Sequence, residues 1–252
     1  MVSDDLAATG LGAMMVPRKA MVLAAGLGTR MRPLTLTTPK PLIKVAGRAL
    51  IDYLLEPLAK AGVETAVVNM HHLGDQIEAH VQGYNTPQVI VSDEREQLMD
   101  SGGGIKKALP HLGSEPFFVL NADSFWIDGP KSNLVRLSEF WNPQQMDIAL
   151  LLANGAQATG YEGLGDFTMA QDGRLSWRVE RHVAPFIYAG VAIIKPELFV
   201  DMPEGAFSLT KLFRHAQAQN RLYGLRLDGA WLHVGTPEAI AWAETKLEQS
   251  IY

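Results

Sequence analysis

The sequence predicts an α/β fold: one domain built on a Rossmann-like, mixed and mainly parallel sheet flanked by helices. Short apolar runs of strand length alternate with segments whose apolar residues recur at helical spacing, which is typical of βαβ units. The chain has 252 residues, of which 47% are hydrophobic and 19% charged, enough for a substantial core in one domain. We expect an N-terminal tail over 1–18 and the folded domain over 19–252.

Six segments have the length and the apolar content of buried strands. They are Ala20–Ala24, Thr65–Asn69, Gln88–Val91, Phe117–Leu120, Asp147–Leu152 and Tyr188–Ile194. Six further segments have helical spacing, namely Leu50–Ala61, Leu73–Val81, Gly104–Leu109, Ser132–Trp141, Phe207–Gln219 and Pro237–Gln249. This order places a helix after most strands, as a parallel sheet requires.

Turn and capping residues refine these elements. Pro57 predicts a kink or a split in the first helix, and Pro110 predicts the end of the third. The glycine-rich stretch Gly155–Gly165 predicts a loop, and Phe167–Arg178 predicts a hairpin that turns at Asp172 and Gly173. Thr236 is a suitable N-cap for the last helix, which would then begin with a proline.

Composition narrows the possible functions. The net charge of −5 disfavours nucleic acid and anionic membrane surfaces as partners, since proteins that bind these usually carry a basic excess. The sequence contains no cysteine, which excludes disulfides, thiolate metal sites and cysteine nucleophiles and fits a cytoplasmic location. No apolar run approaches the length of a membrane span, and residues 1–18 lack the pattern of a secretory signal.

The strongest local signal is the loop that follows the first predicted strand. Gly26 and Gly28 allow backbone N–H groups to approach a phosphate, and Arg30, Arg32 and Lys40 supply fixed positive charge nearby. The third glycine of a dinucleotide fingerprint is missing, and so is a Walker motif. A tight turn without chemical consequence would leave the three cations unexplained. The loop therefore predicts a triphosphate-binding site.

A second glycine-rich turn, Ser101-Gly102-Gly103-Gly104, opens the third predicted helix. Its glycines could expose backbone donors to a flat base or a sugar, or could form a flexible start of a helix. Because the first loop already predicts a nucleotide, we favour a ligand contact.

Asn121-Ala122-Asp123 ends an apolar strand, so it should share the carboxyl edge of the sheet with the first loop. A carboxylate near a triphosphate can hold a hard divalent cation such as Mg²⁺, although an Asp after a strand is also a common turn residue. His233 lies on a short predicted strand and is by itself more often structural than a ligand. His71 and His72 are expected to cap or pack a helix start.

These motifs resemble those of the sugar-1-phosphate nucleotidyltransferases. The stretch from Leu23 to Thr35, with Pro39-Lys40-Pro41-Leu42, is similar to the family's first signature, and Asn121-Ala-Asp123 is similar to its metal-binding motif. Tyr188-Ala-Gly190-Val191 resembles a sugar-site strand, and the segment from Trp231 to Glu238 resembles the late Trp-x-Asp-x-Gly-Thr motif. The resemblance extends over most of the chain and implies the family's GT-A-like fold.

The resemblance also implies an activity: transfer of a nucleotidyl group to a sugar-1-phosphate with release of pyrophosphate. It implies three catalytic residues, Arg30, Lys40 and Asp123. It implies nucleotide contacts at Ala25, Gly26, Gly28, Thr29, Arg30, Gly102, Gly103 and Asn121, and sugar contacts at Asp166 and Gly190. The implied metal ligands are Asp123 and His233, with Mg²⁺ or Mn²⁺ as the ion. The expected partners are a nucleoside triphosphate and a sugar-1-phosphate, and the expected state is a monomer or small homo-oligomer.

Within the family, the most similar subgroup is the N-acetylmuramate-1-phosphate uridylyltransferases of cell-wall recycling. The short chain, the segment Asp100–Ile105 and Gly165-Asp166-Phe167 carry this likeness. It implies UTP and N-acetylmuramate 1-phosphate as substrates. The alternatives are a mannose-1-phosphate guanylyltransferase and a non-catalytic sugar-nucleotide sensor. His233 departs from the family, which usually has an aspartate at this position, and the family's Glu-Lys-Pro segment is not recognisable.

Overall fold

The computed structural model describes residues 16–158 and 160–250. Its strands are β1 (Lys19–Leu23), β2 (Lys44–Val45), β3 (Arg48–Ala49), β4 (Thr65–Met70), β5 (Gln88–Asp93), β6 (Phe117–Asn121), β7 (Ser124–Asp128), β8 (Ile148–Asn154), β9 (Phe167–Met169), β10 (Leu175–Trp177), β11 (Phe186–Ile194), β12 (Leu222–Arg226) and β13 (Gly229–His233). Its α-helices are α1 (Asp52–Lys60), α2 (Gly74–Val81), α3 (Asp100–Leu112), α4 (Asn133–Phe140), α5 (Thr210–Ala218) and α6 (Glu238–Gln249).

Among the described residues, nine strands form one mixed sheet. Seven of them follow the order β10-β9-β11-β6-β1-β4-β5, and β8 pairs with β11 and β12. The strands β6, β1, β4 and β5 are parallel neighbours, as are β8 and β12, whereas β11 is antiparallel to β6 and β8. The predicted hairpin is the antiparallel pair β9–β10. This architecture confirms the predicted fold class.

Helices cover both faces of the sheet because successive residues of its central strands point to opposite sides. In β1, Ala20 and Val22 pack into one core cluster, and Met21 packs into the other. The first cluster takes apolar residues from α1, α2 and α4, and the second from α3 and α5. Strands buried on both faces read as continuous apolar runs, which is why the sequence revealed them.

The third helix corrects the sequence prediction. It was expected over Gly104–Leu109 with its end at Pro110, but α3 begins at Asp100 and continues to Leu112 with Pro110 inside it. A proline near the last turn removes one backbone hydrogen bond, and burial can offset that loss. Ala108 and Leu112 lie one helical turn apart, and both are buried in the second core cluster. Their packing carries the helix past the proline.

Other boundaries also differ from the prediction. Helix α1 contains Pro57 but is one continuous element, not split. Helix α5 starts at Thr210, three residues after the predicted start. Helix α6 starts at Glu238, so Thr236 is not its N-cap. The Thr236 carbonyl accepts the Ala239 N–H in a tighter first turn, at 3.2 Å.

Four strands were not predicted, namely the two-residue strands β2 and β3 and the longer strands β7 and β12. Strand β7 pairs antiparallel with β13, opposing Ser124 and His233, and this ribbon continues directly from the end of β6. Strand β12 is short and includes Gly224, which weakens its sequence signal. The predicted tail lies outside the described residues apart from 16–18, and the domain bounds remain a prediction. No helix in the described ranges is long and apolar enough to cross a membrane.

Candidate active site

The segments that follow β1, β5 and β6, together with Asn69 near the end of β4, border a cleft of about 580 Å³ at the carboxyl edge of the parallel part of the sheet. This is the position where open α/β sheets bind ligands. The lining includes most of the predicted nucleotide contacts. They are Ala25, Gly26, Gly28, Thr29, Arg30 and Asn121, and the predicted catalytic residues Lys40 and Asp123 line the same cleft. Two parts of the chain separated by some eighty residues therefore meet in one cavity, as the sequence predicted.

The loop after β1 is fixed by its own turns. Gly28 has a φ of +60°, and its carbonyl accepts from the Met31 N–H at 2.9 Å and from the Thr35 hydroxyl at 2.8 Å. A Cβ at Gly28 would lie 2.8 Å from a Thr35 side-chain carbon and 3.1 Å from the Cβ of Lys40. Gly26, in contrast, has no other heavy atom within 4 Å of a built Cβ. The loop thus combines a packed base with an open side that a phosphate can approach.

Lys40 and Asp123 form the ion pair at the centre of the cleft. The Lys40 Nζ lies 3.1 Å from Asp123 Oδ2, and the two side chains are 12% and 30% exposed. The sequence predicted that both residues lie on the same edge, and the structure adds their direct contact. The contact places a fixed cation beside a carboxylate that remains open to the cleft.

Charge around Asp123 keeps it ionised. Burial on its own would raise the pKa of the Asp123 carboxyl, but the charges of Lys40, His233 and Arg30 outweigh burial and lower that pKa. An ionised carboxylate at this position is an oxygen ligand of the kind that Mg²⁺ and Mn²⁺ prefer.

His233 lies beside Asp123 at the end of β13. Its ring stacks on Trp231 with centroids 5.7 Å apart, and the next amide, that of Val234, donates to the Asp123 carbonyl at 2.9 Å. Burial lowers the pKa of His233; the Asp123 charge opposes this shift, and Lys40 and Arg30 add to it. The lowered pKa favours the neutral imidazole, which retains a lone pair for a ligand.

The two predicted metal ligands therefore adjoin each other. Among the residues the structure describes, no group of three or more His, Cys, Asp or Glu side chains converges on one point. Mg²⁺ commonly takes one or two carboxylates, with substrate phosphates and water completing its shell. Asp123 and His233 suit such a shared site rather than a cage made wholly of protein.

A buried polar network that the sequence analysis missed joins three strand ends to α3. Asn69 Oδ1 accepts from the Ala24 N–H at 2.7 Å, and Asn69 Nδ2 donates to Glu94 Oε1 at 2.8 Å. Glu94 Oε2 accepts from the Met99 N–H at 3.1 Å. Asn69 is 3% and Glu94 1% exposed, yet both border the cleft. The network fixes the start of the loop after β1 to the start of the third helix.

The second glycine turn lies differently from the expectation that Gly102 and Gly103 face a base. Both are buried, and their N–H groups donate to the Phe207 carbonyl at 2.8 and 3.1 Å. A Cβ at Gly102 would lie 2.4 Å from the Phe207 ring, and one at Gly103 would lie 2.2 Å from the Gly205 carbonyl oxygen. The cleft is lined by the preceding residues, Asp100 and Ser101. A base contact at Gly102 or Gly103 stays a prediction.

The predicted sugar contacts lie on β11 and beside β9. Gly190 has a φ of +82°, and a Cβ there would lie 2.6 Å from Ser124 Oγ and 3.2 Å from Asn121 Cβ. Asp166 Oδ2 accepts from the Tyr188 N–H at 2.9 Å. Burial raises the pKa of Asp166, against the lowering effects of the Tyr188 N–H and of Arg178.

The two histidines near α2 bond to backbone carbonyls, in agreement with a packing role. His71 Nδ1 lies 2.6 Å from the Glu94 carbonyl oxygen, and His72 Nε2 lies 2.7 Å from that of Thr35. Gly235 is a further cleft residue that the sequence analysis did not single out. A Cβ there would lie 2.6 Å from His233 Nε2, so glycine lets the chain pass close to the ring.

Fold and site together define an α/β protein whose cleft is lined by a glycine-containing loop, a lysine and a carboxylate. The model of the nucleotidyl transferase family matches residues 19–173. The chain belongs to this family, as its resemblance predicted.

Two curated relatives and one solved structure refine the comparison. An N-acetylmuramate alpha-1-phosphate uridylyltransferase of Caulobacter vibrioides is 44% identical over 238 residues, which cover 93% of this chain and 98% of that protein. A protein of the same description from Neisseria meningitidis is 36% identical over 224 residues, covering 86% and 93%. UDP-glucose pyrophosphorylase complexed with UDP-glucose aligns with a TM-score of 0.77 at 19% identity, covering 92% of this chain and 99% of that one, and supports the fold.

Proposed function

We propose that this protein transfers a uridylyl group from UTP to N-acetylmuramate 1-phosphate and releases pyrophosphate. The observation that carries the proposal is the Lys40–Asp123 pair, 3.1 Å apart, in the cleft that the loop after β1 also lines. The two uridylyltransferase relatives, which this chain matches over nearly their full length, support the choice of base and sugar.

The reaction needs little covalent help from the protein. A phosphate oxygen of the sugar phosphate attacks the α-phosphorus of UTP in line, the bond to the bridging oxygen of the β-phosphate breaks, and pyrophosphate leaves. Positioning and charge stabilisation then supply the catalysis. Backbone N–H groups of Ala25, Gly26, Gly28 and Thr29, with the Arg30 side chain, would hold the triphosphate and the departing pyrophosphate.

Lys40 and Asp123 would have different electrostatic roles at the α-phosphate. Lys40 would neutralise charge on the α-phosphate and the incoming phosphate, and it already lies at the cleft wall. Asp123, with His233 beside it, would hold Mg²⁺ or Mn²⁺. When bound, the ion neutralises phosphate charge at the reacting centre.

The remaining contacts complete the proposal. Asn121 would contact the nucleotide at the end of β6, and the turn of Gly102 and Gly103 would adjoin the base through the preceding residues, Asp100 and Ser101, which line the cleft. Asp166 and Gly190 would contact the sugar, supported by the place of Gly190 on β11 beside Asn121 and by the hydrogen bond from the Tyr188 N–H of the same strand to Asp166. We assign the reaction to the cytoplasm and to cell-wall recycling, and we expect a monomer or small homo-oligomer.

One panel tests the proposal. Four nucleoside triphosphates are combined with the 1-phosphates of N-acetylmuramate, N-acetylglucosamine and mannose, and pyrophosphate release is measured with Mg²⁺ and with Mn²⁺. We expect the highest kcat/KM for UTP with N-acetylmuramate 1-phosphate. A highest value for GTP with mannose 1-phosphate would establish the guanylyltransferase alternative. Nucleotide binding without pyrophosphate release from any pair would establish a sensor.

A further inference from the structure

Arg178, at the end of the β9–β10 hairpin, is held in place without a carboxylate partner. Its Nε donates to the Gly165 carbonyl at 3.0 Å and its Nη1 to the His182 carbonyl at 3.4 Å. Within the described ranges, no carboxylate oxygen lies within 4.0 Å of its guanidinium. The other arginine of this hairpin, Arg174, pairs with Asp172 at 2.6 Å. Arg178 therefore has N–H donors left for an anion.

The hairpin register places Arg178 next to a predicted sugar contact. The Arg178 N–H donates to the Asp166 carbonyl at 2.8 Å, one step beyond the paired residues Trp177 and Phe167. Residues directly opposite in an antiparallel pair project from the same face, so both side chains lie on one side of the hairpin. Consistent with this, the charge of Arg178 acts to lower the pKa of Asp166.

A row of rings connects this position to the reacting centre. Tyr161 lies close enough for Arg178 and Asp166 to shift its pKa, and its ring centroid is 6.0 Å from that of Trp231. Trp231 in turn stacks on His233, 5.7 Å away, beside Asp123. The strand spacing gives the distance to be spanned. Strands β6 and β10 are three positions apart in the sheet, so their backbones are about 14 Å apart. A sugar phosphate whose phosphate lies near Asp123 would extend toward Arg178.

The proposed substrate differs chemically from other sugar phosphates at that far end. N-acetylmuramate carries a lactyl carboxylate, which N-acetylglucosamine lacks. Lys40 is paired with Asp123, and Arg30 lies on the triphosphate loop, so neither is placed to meet a second anion on the sugar. Asp166 is itself an acidic residue, so it does not attract a carboxylate, and its Oδ2 already accepts the Tyr188 N–H.

We propose that Arg178 binds the carboxylate of an acidic sugar and makes the enzyme selective for it over the neutral sugar. The inference rests on the proposed function and deepens it. An arginine held by two backbone carbonyls is oriented in advance, which suits the two-pronged recognition of a carboxylate.

The test compares N-acetylmuramate 1-phosphate with its lactyl carboxamide, which has the same shape without the charge. For the wild type, a charge-assisted contact predicts a kcat/KM about 10- to 100-fold higher for the carboxylate. In Arg178→Gln the ratio of the two values should fall close to one, mainly through the KM of the carboxylate substrate. Arg178→Lys should retain part of the ratio, and Arg174→Gln, a matched control from the same hairpin, should retain all of it.

The outcomes separate this inference from the proposed function. If the wild type releases no pyrophosphate from UTP with either sugar, the proposed function fails. If it uses both equally well, or if Arg178→Gln retains the preference, the role of Arg178 is refuted. A loss that is equal for both substrates in Arg178→Gln also refutes it. Thermal melting of each variant identifies any that has not folded.

Discussion

Gly104→Ala offers a sharp test of the buried network behind the cleft. Gly104 lies inside α3, where replacing glycine by alanine ordinarily stabilises a helix by about 1 kcal/mol. Here a Cβ would lie 2.6 Å from Glu94 Oε1 and 2.8 Å from Asn69 Nδ2. These are the two atoms of the buried Asn69–Glu94 hydrogen bond. The alanine methyl group must therefore push the bonded pair apart.

The magnitude follows from the two opposing effects. Separating buried partners costs about 1–3 kcal/mol for each group left unsatisfied, so we take about 3 kcal/mol for the pair. Subtracting the helix preference of about 1 kcal/mol leaves a net destabilisation of about 2 kcal/mol. For a domain of this size that corresponds to a melting temperature lower by about 4–8 °C. We also expect a higher KM for the triphosphate. Asn69 accepts the Ala24 N–H at the start of the loop after β1, so a displaced Asn69 would shift this loop.

Gly83→Ala is the matched control. A Cβ at Gly83 meets only the His80 carbonyl oxygen, 3.9 Å away, so we expect a change within about 0.5 kcal/mol. Melting is followed by circular dichroism for wild type and both variants. A Gly104→Ala protein that melts at or above the wild-type temperature would refute the argument from the network.

The other predictions concern charge at the site. Lys40→Ala and Asp123→Ala should each lower kcat at least about 100-fold while the protein stays folded, and near-normal pyrophosphate release from either would exclude the proposed chemistry. His233→Asp should shift the metal preference from Mn²⁺ toward Mg²⁺, measured as the ratio of rates with the two ions; an unchanged ratio would make His233 structural. Asp166→Asn should raise the melting temperature at pH 7, because the raised pKa of Asp166 means that its ionised form destabilises the folded state. That advantage should shrink as the pH falls to about 4, since protonation restores the wild type, and a difference independent of pH would contradict it.

The sequence predicted the edge of the sheet that carries the site because that depends on local patterns. The buried strands that end in Leu23 and Asn121 can be recognised as apolar runs, and parallel neighbours bring their carboxyl ends together. The contact between Lys40 and Asp123 was not predictable in the same way. It depends on three successive turns between β1 and β2, whose geometry is determined by close packing around Gly28.

Two other features show where local pattern stops being informative. Asn69 and Glu94 each lie at the end of an apolar strand, the same signal that identified Asn121 and Asp123, so the sequence contained a clue to them. The glycines 102–104 carried no such clue. Glycine is required both where a ligand approaches the backbone closely and where another part of the chain does. Here the Phe207 carbonyl occupies the turn, and it lies about a hundred positions away in the sequence.

The Lys40–Asp123 pair links the stability of the cleft to its chemistry. Without an anion nearby, the positive charges of Lys40 and Arg30 would repel each other. Without a cation nearby, nothing would offset the free-energy cost of burying the ionised Asp123 carboxylate. The pair offsets part of the charge on each side before substrates arrive. Under the proposed function, a triphosphate and a divalent ion would bring equivalent charges of their own, so Lys40 would contact phosphate while Asp123 would contact the ion. Because both side chains have low exposure, we expect this exchange to be favourable only when both partners arrive, so that the metal ion and the nucleotide should bind cooperatively.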